Sequence, residues 1–287
     1  MDIINSWQFY IVLYLIFIVI FYQSYKIAVL NVKNDGAATI LLQILAGISV
    51  LIWVPFFDLK ISSIIWIYIL LSVACIFYAL NDRLQTTARK HLPVSTFSII
   101  FQFSTVILII YGLVFFKDNF SLGKIIGGLL IILGNICLLY SKGKLEFNRN
   151  VIIAFIATIA FATAISIDIG ISKHFNLPFY IMLTLIIPSI MVTIVERLSI
   201  GEIKSEIKKS SYKYFIITGV AWGIAILVSL KAYQLGPVSI VAPLQTLSVP
   251  INVCIAFFIF NERSNIARKT IAGILVLIGV SITFLNL

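Results

Sequence analysis

GPVSIVAPLQTLSVPINVCIAFFIFNE (236–262) is apolar almost throughout, yet it holds three prolines and closes on an acid. A helix that only fills a core avoids interior prolines, because each removes a backbone donor and crowds the preceding turn. A second copy of the stretch gives it meaning. AYQLGPVSIVAPLQTLSVPINVCIAFFIFNE (232–262) overlays ARKHLPVSTFSIIFQFSTVILIIYGLVFFKD (88–118) at a shift of 144 residues. Ala88, Pro93, Val94, Ser95, Ser104 and Phe116 meet Ala232, Pro237, Val238, Ser239, Ser248 and Phe260, and Asp118 meets Glu262. After a one-residue slip GGLLIILG (127–134) meets AGILVLIG (272–279), which sets Gly128 and Gly134 against Gly273 and Gly279. Prolines, acids and glycines matched in one order mark an internal repeat.

The solvent around that repeat follows from composition. The chain has 287 residues, 61% hydrophobic and 11% charged, where soluble domains carry about 45–50% and 25%. Its mean hydropathy is +1.11. No core of ordinary size hides so much apolar surface, so the partner is the lipid bilayer. The net charge of +10 comes from bases scattered singly between apolar runs. They form no stripe that would track nucleic acid, and they fit the flanking charge that orients membrane spans. Cys75, Cys137 and Cys254 fall far apart in apolar segments, with no metal-ligand spacing and no disulfide framework. The first apolar run follows Asp2 without a basic leader or a small-residue cleavage site, so it reads as a retained span.

About 20 apolar residues cross the hydrocarbon layer as a helix. On that measure ten spans are predicted: 7–25, 36–57, 63–88, 93–115, 122–141, 151–171, 177–196, 213–234, 237–260 and 266–286. The segment 196–214 between the seventh and eighth sets Ile200, Ile203 and Ile207 opposite Lys204 and Lys208, as a helix on the membrane surface does; a solvated connector is the competing reading. Odd-numbered loops hold 16 Lys and Arg against five on the other side, which puts odd loops in the cytoplasm and both termini outside. Five spans per half is an odd number, so the second half must enter the membrane from the opposite side. The expected architecture is an all-α, multi-pass integral protein of the cell membrane: ten transmembrane helices as two inverted five-helix repeats, 1–145 and 146–287. Secondary transporters often have this plan, with the site at the midplane between the halves.

The repeated blocks "LPVS…Q…S…FF.D…G…LG" and "GPVS.VAPLQ.LSVP…F..NE…AG…LIG" resemble the EamA-like branch of the drug/metabolite transporter superfamily over essentially the whole chain. The resemblance implies a ten-helix carrier that exports or exchanges metabolites and needs no cofactor. It further implies a cavity lined chiefly by spans three, four, eight and nine, and short acidic turns after spans four and nine, here at 117–120 and 261–264. Asp118 stands where the family more usually has Glu. Relatives are commonly described with both termini cytosolic, opposite to the charge count.

The polar residues divide by role. Pro93 and Pro237 stand where helices begin. Pro243 and Pro250 lie deeper, and each frees a carbonyl, tolerable only beside protein or a wet cavity. Gln245, Thr246 and Ser248 sit around them and Gln102 and Ser104 oppose them from the other half, so these five are candidate substrate contacts; the bland alternative is a bent helix whose hydroxyls bond their own backbone. Asn81 and Asp82 fall inside the protein if span three continues to Ala88. Asp82 and Asp168 could each hold a cationic substrate or a coupling proton or ion; equally, Asp82 is a solvated helix end paired with Arg83, and Asp168 an interfacial acid near Lys173. Tyr78, Tyr111, Trp222 and Tyr233 either stack on a substrate or anchor and pack. Asp118 and Glu262 suit a helix start, and GKIIG (123–127), GVAWG (219–223) and the matched glycines suit close helix packing.

The leading expectation is therefore a secondary carrier for a small organic molecule, an exporter or exchanger working by alternating access. Sugar uptake or flipping of a lipid-linked sugar is the alternative within that class. A non-transporting membrane subunit is a different class, and a homo-oligomer is compatible with either. A membrane-embedded enzyme has few candidates: two histidines, no HExxH, no GxSxG, no Walker loop and no metal set.

Overall fold

The computed structural model describes residues 6–115, 121–141, 144–145, 147–209, 212–260 and 266–284. Thirteen helices account for nearly all of them: α1 (Trp7–Val29), α2 (Asp35–Leu51), α3 (Ile65–His91), α4 (Val94–Phe101), α5 (Phe103–Phe115), α6 (Leu122–Leu139), α7 (Arg149–Ile171), α8 (Leu177–Glu196), α9 (Ile200–Lys209), α10 (Tyr212–Leu235), α11 (Val238–Gln245), α12 (Ser248–Ile259) and α13 (Ile266–Phe284). One pair of two-residue strands, Tyr140–Ser141 and Lys144–Leu145, joins α6 to the second half. Six helical segments are long and apolar enough to cross a membrane: α1, α3, α4 with α5, α7 with the short turn after it, α8 and α10. Shorter apolar helices cover 35–51, 122–134 and 248–259. Large apolar side chains such as Phe56, Trp66, Val195 and Phe258 stand 68–80% exposed, a surface that only a lipid solvent tolerates on this scale. The chain is an α-helical, membrane-embedded protein.

Local chemistry sets the helix ends. Ser6, Asn34, Asn148 and Asn176 accept from the backbone N–H groups of Phe9, Ala37, Val151 and Phe179, so four helices begin on a side-chain cap. The α3 C-terminus carries Arg89, Lys90 and His91 in its last turn. Lys26 reaches over from α1 and donates to the carbonyls of Arg89, Lys90 and Leu92 at 2.8–2.9 Å, a cation placed on the negative end of a helix. The surface segment is helical: Ser199 and Glu202 cap α9 reciprocally. Its Ile203 packs on the core while Ile200 is 72% exposed. Glu206 on the same helix is buried and accepts from the N–H groups of Lys33 and Asn34, so α9 is fastened to the α1–α2 turn.

The principal packings pair α1 with α10, α3 with α7, α6 with α13, and α2 with both α8 and α10. Glycine makes the α2–α10 approach possible. A methyl at Gly219 would stand 2.5 Å from Leu45 Cβ, and one at Gly223 would stand 2.7 Å from the Ala46 carbonyl. Gly134 and Gly279 do the same between α6 and α13, where a methyl would meet the carbonyls of Ala272 and Gly127 at 3.0 and 2.6 Å. Gly128 and Gly273, expected as partners in this role, face open space with nothing within 4 Å. The close approach therefore rests on one matched pair, Gly134 with Gly279, and not on the other.

The two ends of the bundle differ. At the end holding the α1–α2, α3–α4 and α8–α9 connections, Arg83 pairs with Glu196, Lys90 with Asp35 at 2.8 Å, and Thr87 donates to Asp35 at 2.7 Å. At the other end Asn176 binds the α2–α3 connection, its amide donating to the carbonyls of Val54, Phe57 and Asp58 and its backbone N–H to that of Lys60. Beside it opens a cavity of about 540 Å³ lined by Phe57, Asp58, Lys60, Lys173, Lys231 and Gln234 among others.

Candidate functional site

The two broken spans create the site. α4 ends at Phe101, Gln102 is a turn, and α5 starts at Phe103; α11 ends at Gln245, Thr246 and Leu247 are a turn, and α12 starts at Ser248. The second break has prolines on either side. Pro243 lies within α11, whereas Pro250 is the third residue of α12. That corrects one expectation: a proline in a first turn removes an N–H that has no helical partner anyway, and the Thr246 carbonyl takes the Val249 N–H at 2.8 Å. Pro93 and Pro237 stand one residue ahead of α4 and α11, and their carbonyls accept the first helical N–H groups of Phe97 and Val241. The first break has no proline. There the Gln102 amide donates to the Ser98 carbonyl at 3.2 Å and the Ser104 hydroxyl to that of Phe101 at 2.6 Å. Side chains inserted into the backbone ladder are a recognised cause of kinks.

Between the breaks lies a cavity of about 50 Å³. Gln102, Ser104, Gln245, Thr246, Ser248 and Trp222 all line it. Gln245 is held from both sides, accepting from the Tyr233 hydroxyl at 3.2 Å and donating to Ser229 at 2.8 Å. The Ser248 hydroxyl donates to the Gln245 carbonyl. Alongside α3, α4–α5, α10 and α11–α12, helices α1 and α7 contribute wall, through Tyr14, Phe21 and Tyr22 and through Phe161. The aromatics carry much of it: Phe21 stacks on Trp222 at 4.5 Å between centroids, and Phe101 leans on Phe161 at 4.8 Å.

Asn81, Asp82, Tyr78 and Asp168 are buried but do not line the cavity. α3 runs past Ala88 to His91, which places Asn81 and Asp82 inside the protein at 0% and 2% exposure. Asp82 Oδ1 accepts from Asn81 at 2.8 Å and from Gln85 at 3.2 Å; its second oxygen finds no partner among the described residues. Arg83, weighed as its partner, is engaged with Glu196 instead. Asp168 is fully buried, and its two oxygens accept from the Tyr78 hydroxyl at 2.7 Å and the Tyr180 hydroxyl at 2.5 Å. Two phenols from α3 and α8, rather than Lys173, hold that carboxylate. Tyr111 is turned to Thr163, outside the cavity lining. Asp118 and Glu262 lie outside the described residues.

Several residues of the site escaped sequence reasoning, Ser229, Gln85 and above all Arg89 among them. Arg89, counted there as a loop base, is 4% exposed and lines the cavity together with Gln85. Its guanidinium lies 4.1–4.9 Å from the ring centres of Phe21, Tyr22, Tyr25 and Phe97, and its Nε donates to Gln85 at 3.2 Å. The length of α3 is the signal that could have found it. Its 27 residues span about 40 Å, against a hydrocarbon layer of about 30 Å, which marks its last turns as worth weighing for burial although length alone does not decide between protein and water.

No family model matches the chain, and no curated protein matches it. A solved chain described only as "Crystal structure of protein" shares the fold, with a TM-score of 0.67 and 13% identity over 97% of this chain and 98% of that one. The fold therefore recurs in a solved structure.

Proposed function

We propose that the chain is a ten-span secondary carrier of the EamA-like type, built as two inverted five-helix repeats and moving a small organic molecule through the central cavity as an exporter or exchanger. The observation that carries this reading is the pair of broken helices. α4 and α11 are each eight residues long and begin at Val94 and Val238; the breaks follow at Gln102 and Thr246, and the next long helices begin at Leu122 and Ile266. Every one of these landmarks repeats at the 144-residue shift of the sequence. The packing supports the same symmetry. Exchanging the halves turns the α1–α10 contact into α7–α3 and the α2–α10 contact into α8–α3, and leaves α2–α8 and α6–α13 in place. Breaks at equivalent positions of the two halves bring Gln102, Gln245 and Thr246 to one cavity inside an apolar bundle, an arrangement that suits a solute better than a purely packed core. With the odd loops cytoplasmic, the latched end faces the cytoplasm and the 540 Å³ cavity faces outside.

Two measurements test this. Cysteines placed one at a time in the connections, in a background without the three native ones, should label alternately from the two sides of the membrane, ten crossings in all. Proteoliposomes should exchange a labelled metabolite chosen by a thermal-shift screen, and Gln245→Ala should impair that exchange. Labelling that puts equivalent connections of the two halves on the same side would end the inverted repeat. No exchange of any stabilising compound would end the carrier reading.

A further inference from the structure

We infer that the central cavity is a site for a small oxyanion, with Arg89 and the Trp222 indole N–H as its receptors; as a substrate class this rests on the carrier reading, while the binding itself does not. Among the described residues Arg89 is the one charged residue lining the cavity. Among the described residues the ion pairs are Arg83 with Glu196 and Lys90 with Asp35, so the guanidinium has no carboxylate within 4.0 Å. Four aromatic rings surround it, and Gln85 is the acceptor for its Nε. A charge this deeply buried calls for a counter-charge, and rings only partly replace one. Asp82 is one amide away: Gln85 accepts from Arg89 through its oxygen and donates to Asp82 through its nitrogen. That spacing orients the guanidinium without neutralising it.

A separate observation points to the same ligand. Trp222 is 6% exposed, lines the cavity, and its indole N–H has no acceptor among the described residues. Arg89 and Trp222 both pack on the Phe21 ring. Among the described residues the Arg89 cation has no carboxylate partner, the Trp222 donor has no acceptor, and no Asp or Glu lines the cavity they share. The ligand that completes the set brings negative oxygens. Volume limits its size. A cavity of about 50 Å³ favours a small oxyanion, such as phosphate or a short carboxylate, over a bulky one.

The approach suits an anion as well. The outer cavity sets Lys60, Lys173 and Lys231 against a single acid, Asp58. A basic cleft with apolar walls concentrates anions at its mouth. Tyr233 lines both cavities, and its bond to Gln245 stands at the partition between them.

The test uses the full-length protein in detergent, titrated calorimetrically with acetate, pyruvate and inorganic phosphate, with glucose and choline as neutral and cationic probes. At least one oxyanion should bind, and competition between carboxylate and phosphate decides which head group the site prefers. Arg89→Gln should weaken binding roughly 100-fold and Trp222→Phe about tenfold. Changing Lys60, Lys173 and Lys231 to Gln together should slow association and flatten its salt dependence with little change in dissociation. Unliganded Arg89→Gln should melt no lower than the parent, because it removes an uncompensated charge; a large loss of stability there would make Arg89 a structural residue and overturn the inference. So would the absence of any oxyanion binding, or equal binding of choline or glucose. Binding without flux would leave the oxyanion site standing and sink the carrier. Flux of a neutral or cationic molecule, unaffected by Arg89→Gln, would do the reverse.

Discussion

Gly223 offers the sharpest test of the packing. A methyl added there would lie 2.3 Å from Ser49 Oγ, 2.7 Å from the Ala46 carbonyl oxygen and 2.8 Å from Val50 Cγ2. Ser49 can rotate away at the loss of its 2.7 Å bond to Ala46, but the carbonyl belongs to the backbone of α2 and cannot. Ordinary contact begins near 3.4 Å, so α10 has to recede from α2 by roughly 0.7 Å along the seam that carries Thr218, Gly219 and Trp222. Overpacking of that kind costs about 1–3 kcal/mol, against which an alanine gains about 1 kcal/mol in helix propensity over glycine. Gly128→Ala is the matched control, since its methyl meets nothing within 4 Å and keeps the propensity gain alone. Gly223→Ala should therefore unfold at a lower temperature than Gly128→Ala, the two separated by about 1–3 kcal/mol, with melting in mild detergent followed by tryptophan fluorescence. A Gly223→Ala protein as stable as Gly128→Ala would refute the close α2–α10 contact and the geometry built on it.

Other perturbations read out other parts of the fold. Glu206→Ala strips the Lys33 and Asn34 N–H groups of their carboxylate and should cost about 1–3 kcal/mol, with faster amide exchange in the α1–α2 turn. Asp168→Asn gives Tyr78 and Tyr180 one good acceptor where they now have two, so thermal stability should fall by about 1–3 kcal/mol. If Asp168 also carries a coupling proton, the same variant flattens the pH dependence of flux; an unchanged pH profile removes it from that role. Asn176→Ala leaves three carbonyls of the α2–α3 connection without their amide, and proteolysis of residues 54–60 should speed up several-fold relative to the parent.

The helical segments were legible because apolar runs of span length admit no other backbone in lipid. The break in the second half was legible from Pro243 and Pro250. Its counterpart at Gln102 was not, except through the repeat, since Ser98, Gln102 and Ser104 make the kink with side-chain bonds that no local pattern announces. Asp168 was visible as an acid at depth, but its phenol partners sit 90 residues before it and 12 after, and only packing brings them together. Arg89 was misplaced for a physical reason. A base near a helix end obeys the same charge rule whether it points to water or back into the bundle, and burial by Phe21, Tyr22 and Phe97 depends on contacts the local sequence does not encode. Gly128 and Gly134 illustrate the same limit. Both belong to the matched set, yet only the one turned toward α13 makes a close approach.

The Asn176 amide ties the α2–α3 connection to the first turn of α8 through three carbonyls. Mechanically, that stretch of chain is cargo of α8, although sequence would assign it to its neighbours α2 and α3. A spectroscopic probe at residue 58 would thus record tilting of α8. Were the bundle to rock, the lysine at position 60 would ride with the second half of the molecule despite being encoded in the first.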